Sequence, residues 1–508
     1  MTDRTAYVEA SKVAKLPITI IMVLGAFVAI LNQTLMNIAL PVMMTELDIT
    51  ENTAQWLTTI FMLVNGIAIP ITAFLMEKFS TRKLFITAMS LFAIGTLICA
   101  VAPSFSIILV GRVVQAAGAG IIMPLLTNVI LSLFPIEKRG AAMGLIGLAM
   151  MSAPAIGPTL SGWIVQNYSW RVLFYIILPI AIIDVILAFF LLRNVTKLSN
   201  PKVDILSIIL STFAFGGLLY GFSTAGNAGW GELEVILSFI VGGVTMVIFV
   251  ARQLVLKTPM LEFRVFKYNM FTLTTIINVV VTMAMFAAMI LIPIYLQNIR
   301  GFSPLESGLL LLPGALISAF MSPITGKLFD KIGARPLALV GLAITVVTTF
   351  FFTDLSDSTT YMHMMVLYSA RMVGISMIMM PIMTAGLNQL PTKYYSHGTA
   401  MANTLRQVSG AIGTAFLITV MSNRRTDHMS EFLPNGIPTD EQQIFAVQHA
   451  TIEGINDAFM VATGFAILAF LLSFYLKKVK PADTEEESSA SDSLASSNSF
   501  SQQPVTQK

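Results

Sequence analysis

Two arginines, Arg112 and Arg371, lie inside apolar runs of this chain. An Arg at the centre of a membrane helix costs about 2.5–3.5 kcal/mol on insertion scales, so each needs a compensating contact or a task. Each has two readings. It is a cation facing a water-filled cavity, touching cargo or coupled to proton movement, or it is a clamp on carbonyls of a neighbouring helix. Asp184 is the one carboxylate near the middle of an apolar run. Burial there suits reversible protonation, or a structural pairing with a basic neighbour. Glu306 opens another run and reads first as an acid favoured by a helix dipole, second as a proton site. Arg112, Asp184 and Glu306 are therefore the proton-coupling candidates.

Asn32, Gln33, Thr34 and Asn37 stand together in the first apolar run. Gln33 and Asn37, four apart, share a helix face and could hydrogen-bond cargo or a partner helix. Gln115, Met123, Asn278, Phe286, Tyr295, Met380, Asn403 and Gln407 are further candidates for a substrate cavity, with Arg371 and Pro154. Asn403, Arg406 and Gln407 have a rival role as caps and clamps near one face. Methionine-rich runs pack well and also suit a deformable surface that accepts many shapes.

The elements that must position these groups come in two copies. Pro70-Ile71-Thr72 followed by Glu77-Lys78 and Arg82 recurs, 253 residues later, as Pro323-Ile324-Thr325 followed by Asp330-Lys331 and Arg335. Each copy lies where an apolar run breaks into a short charged loop. Paired helix bundles with a central site are a common build of secondary transporters. Glu77, Lys78, Arg82, Asp330, Lys331 and Arg335 are the expected gating groups, holding one face closed through charge pairs and helix-end contacts.

The chain has 508 residues, 56% hydrophobic and 11% charged, with mean hydropathy +0.80. Fourteen runs are long enough to span a bilayer, which takes about 20 apolar residues. With the N-terminus inside, 22 Lys and Arg fall on cytoplasmic segments and four (Arg171, Arg300, Arg424, Arg425) outside. That asymmetry sets the expected orientation, both termini cytoplasmic. The first apolar run lacks a cleavage site and is expected to be retained. The expected fold is all-α and membrane-integral: a cytoplasmic N-terminus (1–16), a six-helix bundle (17–192), a linker with two extra helices (193–269) and a second six-helix bundle (270–478). An outside loop is expected over 423–455, with a short surface helix near 440–450. Disorder is expected in the polar tail, 479–508.

Gly144, Gly147, Pro154, Gly157, Pro158 and Gly162 crowd the fifth span. Small residues allow close helix packing and the two prolines favour a bend. The single Cys excludes a disulfide framework and a Cys-cluster metal site. No phosphate-cradling loop, HExxH or GxSxG element is present, which argues against an ATP motor or a hydrolase. No cofactor, nucleic-acid partner or catalytic residue is expected. The partners are the lipid bilayer, protons and a small amphipathic cargo, handled by a monomer.

With these residues placed, the chain resembles the major facilitator superfamily, in particular its fourteen-helix drug:proton antiporters, over about residues 17–478. The resemblance rests on the loop elements at Glu77–Lys83 and Gly326–Arg335, on Arg112, Gln115, Gly118 and Gly120, and on Gly147, Pro154, Gly157, Pro158 and Gly162. Asn32 stands before Asn37-Ile38-Ala39-Leu40-Pro41 where the family usually has Asp. A neutral amide cannot carry a proton or pair with a cationic drug, and the Leu31-Asn32-Gln33-Thr34 element resembles lincomycin-resistance-type exporters. The resemblance implies proton-coupled efflux of lipophilic drugs across a bacterial plasma membrane by alternating access, energised by the proton gradient. Export of an endogenous metabolite, lipid or peptide is the rival reading, and a membrane sensor on a transporter fold a more distant one.

Overall fold

The computed structural model describes residues 13–196, 198–199, 201, 203–432 and 440–477. The expected disordered tail and most of the expected N-terminal segment lie outside them. Fourteen helices follow one another: α1 (Lys15–Leu47), α2 (Glu51–Lys78), α3 (Thr81–Val101), α4 (Phe105–Leu133), α5 (Arg139–Asn167), α6 (Arg171–Leu191), α7 (Ile205–Ala228), α8 (Leu233–Val255), α9 (Asn269–Ile294), α10 (Pro304–Ile332), α11 (Ala334–Phe351), α12 (Tyr361–Gln389), α13 (Tyr395–Phe432) and α14 (Asp440–Ser473). All fourteen contain a stretch long and apolar enough to cross a membrane. In lipid every backbone group must be satisfied inside the chain, so these runs have little alternative to helix.

Polar residues at the breaks fix where helices start. The side chains of Thr50, Ser80, Asp204 and Thr360 accept from backbone N–H groups in the first turns of α2, α3, α7 and α12. Ser303 and Glu306 form a reciprocal capping box at α10. Prolines inside α5 (Pro154, Pro158) and α10 (Pro313, Pro323) are carried within continuous helix.

One expectation needs correction. The described parts of the segment 423–455, which are 423–432 and 440–455, are helix and not loop: α13 continues to Phe432, and the short helix expected near 440–450 is the start of α14, formed from Asp440. These extensions are polar, so hydropathy alone misses them. Arg424 Nε lies 2.6 Å from Asp457 Oδ2, and His428 bridges Asp457 and Glu431 at 3.0 Å each. Asp457 lies inside α14 and ties it to α13.

α1–α6 and α9–α14 form two bundles of matching design. In each, the third and sixth helices (α3 with α6, α11 with α14) pair on the flank. The bundles meet along two seams. On one, α5 lies directly against α10; on the other, α2 faces α13, and α7 packs against both. α7 and α8 form a hairpin whose backbones approach closely at Gly217 and Gly242, where an added Cβ would stand 2.9 and 2.7 Å from the other backbone. Ion pairing of Asp204 with Arg252 fastens the hairpin's base, at 3.1 Å. α8 presents Ile240, Val244 and Val247 outward, an apolar face suited to lipid.

Candidate functional site

The residues expected to act lie at three levels of the interface between the bundles and at one place away from it. The end bearing Lys78, Lys83, Lys138, Lys327, Lys331 and Lys393 is called here the basic face.

At the basic face the bundles are locked twice, in related ways. Asp330, near the end of α10, accepts from the first N–H groups of α5: Oδ1 from Gly140 (2.7 Å) and Oδ2 from Ala141 (2.9 Å). A carboxylate is favoured there by the helix dipole and the unpaired donors. The approach needs glycine, since a Cβ on Gly140 or Gly326 would collide with backbone of the other helix. Glu77, in the same repeat position on α2, meets the start of α13: Oε1 lies 2.9 Å from His397 Nε2 and 3.3 Å from Ser396 Oγ. The N–H of Glu262 donates to His397 Nδ1 (3.3 Å), which leaves the neutral ring's proton on Nε2, facing the carboxylate. Arg139 adds a third tie, donating through Nη1 to Asn388 Oδ1 and Tyr395 Oη at 3.0 Å each. A cavity of about 970 Å³, bordered by Lys15, Glu77, Arg139, Lys393 and Ser396, lies at these ties.

Of the six expected gating groups, Glu77 and Asp330 cross between bundles. Arg82 stays within its own, donating to the carbonyl of Phe189 (2.6 Å). Lys78 lies over the ring of Phe74. No ion pair is formed by Lys331 or Arg335 among the described residues.

At mid-span, Arg112 is fully buried. It donates to the carbonyl of Leu57 (3.0 Å), to Asn32 Oδ1 (2.8 Å) and to Gln115 Oε1 (2.8 Å), and lies over the ring of Phe61. Gln115 in turn donates to Thr96 Oγ1 at 2.7 Å. The network joins four helices of the first bundle through neutral partners, which is the clamp geometry. Arg112 Nη2 has no partner among the described residues. Arg371 is held likewise by Thr349 Oγ1 (3.1 Å) and the carbonyl of Ala284 (2.8 Å).

The other candidates divide. Asn278 and Met380 border a gap of about 10 Å³ beside Arg406, room for about one water. Phe286 packs on Gly410, and Gln407 faces Gly66 across the α2–α13 seam. Gln33, Met123 and Pro154 are half-buried, and the side chain of Asn37 falls outside those described. Two substrate-cavity candidates are corrected, and Glu306 takes the first of its two readings. Asn403 turns inward to the carbonyl of Thr399 (2.8 Å) in its own helix. Tyr295 lies at the end of α9, where its hydroxyl binds the carbonyl of Ser356 between α11 and α12. Glu306 is exposed, and its carboxylate is occupied in the capping box. A capping acid is visible in the Ser303-x-x-Glu306 spacing.

The glycines of α5 face α10 and α1. A Cβ on Gly147 would overlap Ser322, one on Gly157 would overlap Thr34, and one on Gly144 would stand 2.7 Å from the Ser322 carbonyl. Gly162 has more room, 3.8 Å from Leu305.

On the face opposite the basic one, a cavity of about 260 Å³ lies between α2, α7 and α13. Gln55, Thr58, Thr59, Ser223 and Thr414 line it among apolar residues, and no charged group among the described residues does. α7 closes its side: Leu219 fills the space at Gly66, and Trp230 Nε1, just past the helix, donates to Thr419 Oγ1 (2.7 Å).

Asp184 lies away from all three levels. It is fully buried inside the first bundle between α1, α3 and α6, beside Gly25, Phe85 and Met89. Neither carboxylate oxygen has a hydrogen-bond partner among the described residues. Arg112 does not reach it, so any influence of one on the other is indirect.

Sequence reasoning missed Ser396, His397, Tyr395 and Asn388 as partners of the locks. The repeat itself held the signal: if Glu77 answers Asp330, the start of α13 must answer the start of α5.

Residues 22–414 match the family described as Major Facilitator Superfamily. The chain is 52% identical over 466 residues to the uncharacterized MFS-type transporter YcnB of Bacillus subtilis (strain 168), covering 92% of this chain and 96% of that one. It is 44% identical over 467 residues to the lincomycin resistance protein LmrB of the same organism, again covering 92% and 96%. Among solved structures, the human organic anion transporter MFSD10 (TETRAN) superposes with a TM-score of 0.61 at 14% identity, covering 90% of this chain and 99% of that one.

Proposed function

The chain belongs to the Major Facilitator Superfamily, and from that premise we propose that it exports lipophilic drugs or antibiotics across a bacterial plasma membrane in exchange for protons. The basic face is cytoplasmic in this reading, since it gathers most of the Lys and Arg. The two bundles rock about the central interface, and the structure described corresponds to the state with that face shut.

The observation that carries alternating access is the pair of locks. Asp330 on the α5 terminus and Glu77 on the α13 terminus are local, polar and confined to one end. Contacts of that kind break and re-form as a unit, which a bistable interface needs. An antibiotic as cargo is supported by the 44% identity to LmrB. Proton coupling is supported by Asp184, a buried carboxylate with no partner, whose protonation would alter how α1, α3 and α6 pack.

Purified protein in sealed vesicles with an imposed pH gradient tests this. Addition of lincomycin should dissipate the gradient in proportion to drug. A gradient indifferent to lincomycin and to a broad panel of lipophilic drugs, with folded protein, overturns the reading.

A further inference from the structure

Arg406 lies eleven residues into α13, about 16 Å along the helix at 1.5 Å per residue, and so near mid-span. It points across the seam to Met150, which lies eleven residues into α5. The sole hydrogen-bond partner of its side chain among the described residues is Met150 Sδ, at 3.4 Å from Nη1. A thioether is a weak acceptor, and a guanidinium offers five donors in a fixed planar fork. The remaining groups around it are Thr275, Asn278, Met379, Met380 and Met383. No Asp or Glu borders the gap.

The other interior arginines are provided for differently. Arg112, Arg139 and Arg371 each donate to oxygens of carbonyls, amides or hydroxyls. Arg406 alone among these four faces the space between the bundles with its charge unmatched and no oxygen partner. Even half-buried, as Arg406 is, a cation without a counter-charge is unfavourable unless something else supplies one. The closed gap has room for about one water, so that partner enters only when the bundles part.

We propose that Arg406 is the recognition group for an anionic amphiphile: a cargo carrying one carboxylate on an apolar body. The planar fork accepts a carboxylate in a two-point bond. The methionines beside it give the apolar body a soft, adaptable seat. The assignment rests on the export reading for its place in the cycle, and it adds to the lipophilic cargo a class with a negative head.

The test uses the full chain in nanodiscs and two fluorescent probes with one apolar body, 1-pyrenebutanoate and 1-pyrenebutanol, each corrected for uptake by empty nanodiscs. The wild type should bind the carboxylate at least tenfold more tightly than the alcohol. Arg406→Gln should reduce that preference to within about twofold, and Arg406→Lys should keep part of it. Equal binding of the two probes by the wild type overturns the proposal, and needs no variant to fold. So does a preference that survives Arg406→Gln. Lincomycin-driven proton flux, measured on the same preparations, separates the two readings. Flux without a carboxylate preference removes the anion site and leaves export standing. A carboxylate preference without flux keeps Arg406 as the anion site and removes lincomycin as cargo.

Discussion

Replacing Asp330 by Asn should open the basic face. Asp330 makes two hydrogen bonds to the first N–H groups of α5, at 2.7 and 2.9 Å. Bonds to a charged acceptor contribute about 1.5–3 kcal/mol each. The carboxylate is half-buried, which places both toward the lower end. Asn keeps one acceptor oxygen, loses the charge that favours the helix terminus, and turns an NH2 toward the second N–H. The expected loss is about 2 kcal/mol, or roughly thirtyfold in the ratio of closed to open forms. A population about 95% closed would fall to about 40%. Spin labels at Lys83→Cys in the first bundle and Lys393→Cys in the second read this as a new, longer distance. Both sites are exposed, and the only native thiol, Cys99, is buried. Gly140→Ala is the companion variant, because its Cβ meets the backbone of Gly326, which no side-chain rotation relieves. If Gly140→Ala lengthens the distance and Asp330→Asn leaves it unchanged, the carboxylate is not a lock and the reasoning fails.

Asp184→Asn removes an acid with no partner and nearly preserves its shape, so folding should survive while drug-driven proton flux falls to background; full flux would dismiss Asp184 as the coupling group. Arg112→Ala leaves the Leu57 carbonyl, Asn32 and Gln115 without their donor, and should cost about 1–3 kcal/mol for each acceptor left unsatisfied, seen as a lower Tm; an unchanged Tm would contradict the clamp. Glu306→Ala should cost about 0.5–2 kcal/mol, as for a lost helix cap, and leave proton flux intact, whereas lost flux would restore it as a proton site. At the base of the α7–α8 hairpin, burial pushes the Asp204 carboxyl up, but hydrogen bonds from Arg252 and Ser207 outweigh it and hold the group below its ordinary value of 3.8. A depressed folded value means that its stabilisation is present above that ordinary value and is lost as pH falls through the folded one. Protection factors for amide exchange in α7, corrected for the intrinsic pH dependence of exchange, should therefore fall on acidification in the wild type and not in Asp204→Asn.

Much of this protein was fixed by order along the chain. Fourteen apolar runs, spaced by charged breaks, leave helix as nearly the only way to satisfy backbone groups in lipid, so span number and the six-two-six plan follow from hydropathy and the Pro70/Pro323 repeat. The capping box at Ser303 and Glu306 is equally local, since both partners lie within one turn. The polar continuations of α13 and α14 escaped because their stability comes from Arg424, His428 and Asp457 meeting across two helices, and hydropathy sees one helix at a time. Tertiary structure alone decided what each buried polar group faces. Arg112, Arg371 and Arg406 look alike in sequence, each an arginine within a largely apolar helix. Packing gives the first two oxygen partners from neighbouring helices and gives Arg406 a thioether at the seam. Asp184 likewise reads equally as a proton site or as the partner of a basic neighbour until α1 and α3 close around it and leave it without a partner among the described residues. A side chain's direction depends on helix rotation, which is set by glycine contacts such as Gly140 with Gly326 and Gly25 with Asp184, between residues far apart in the chain.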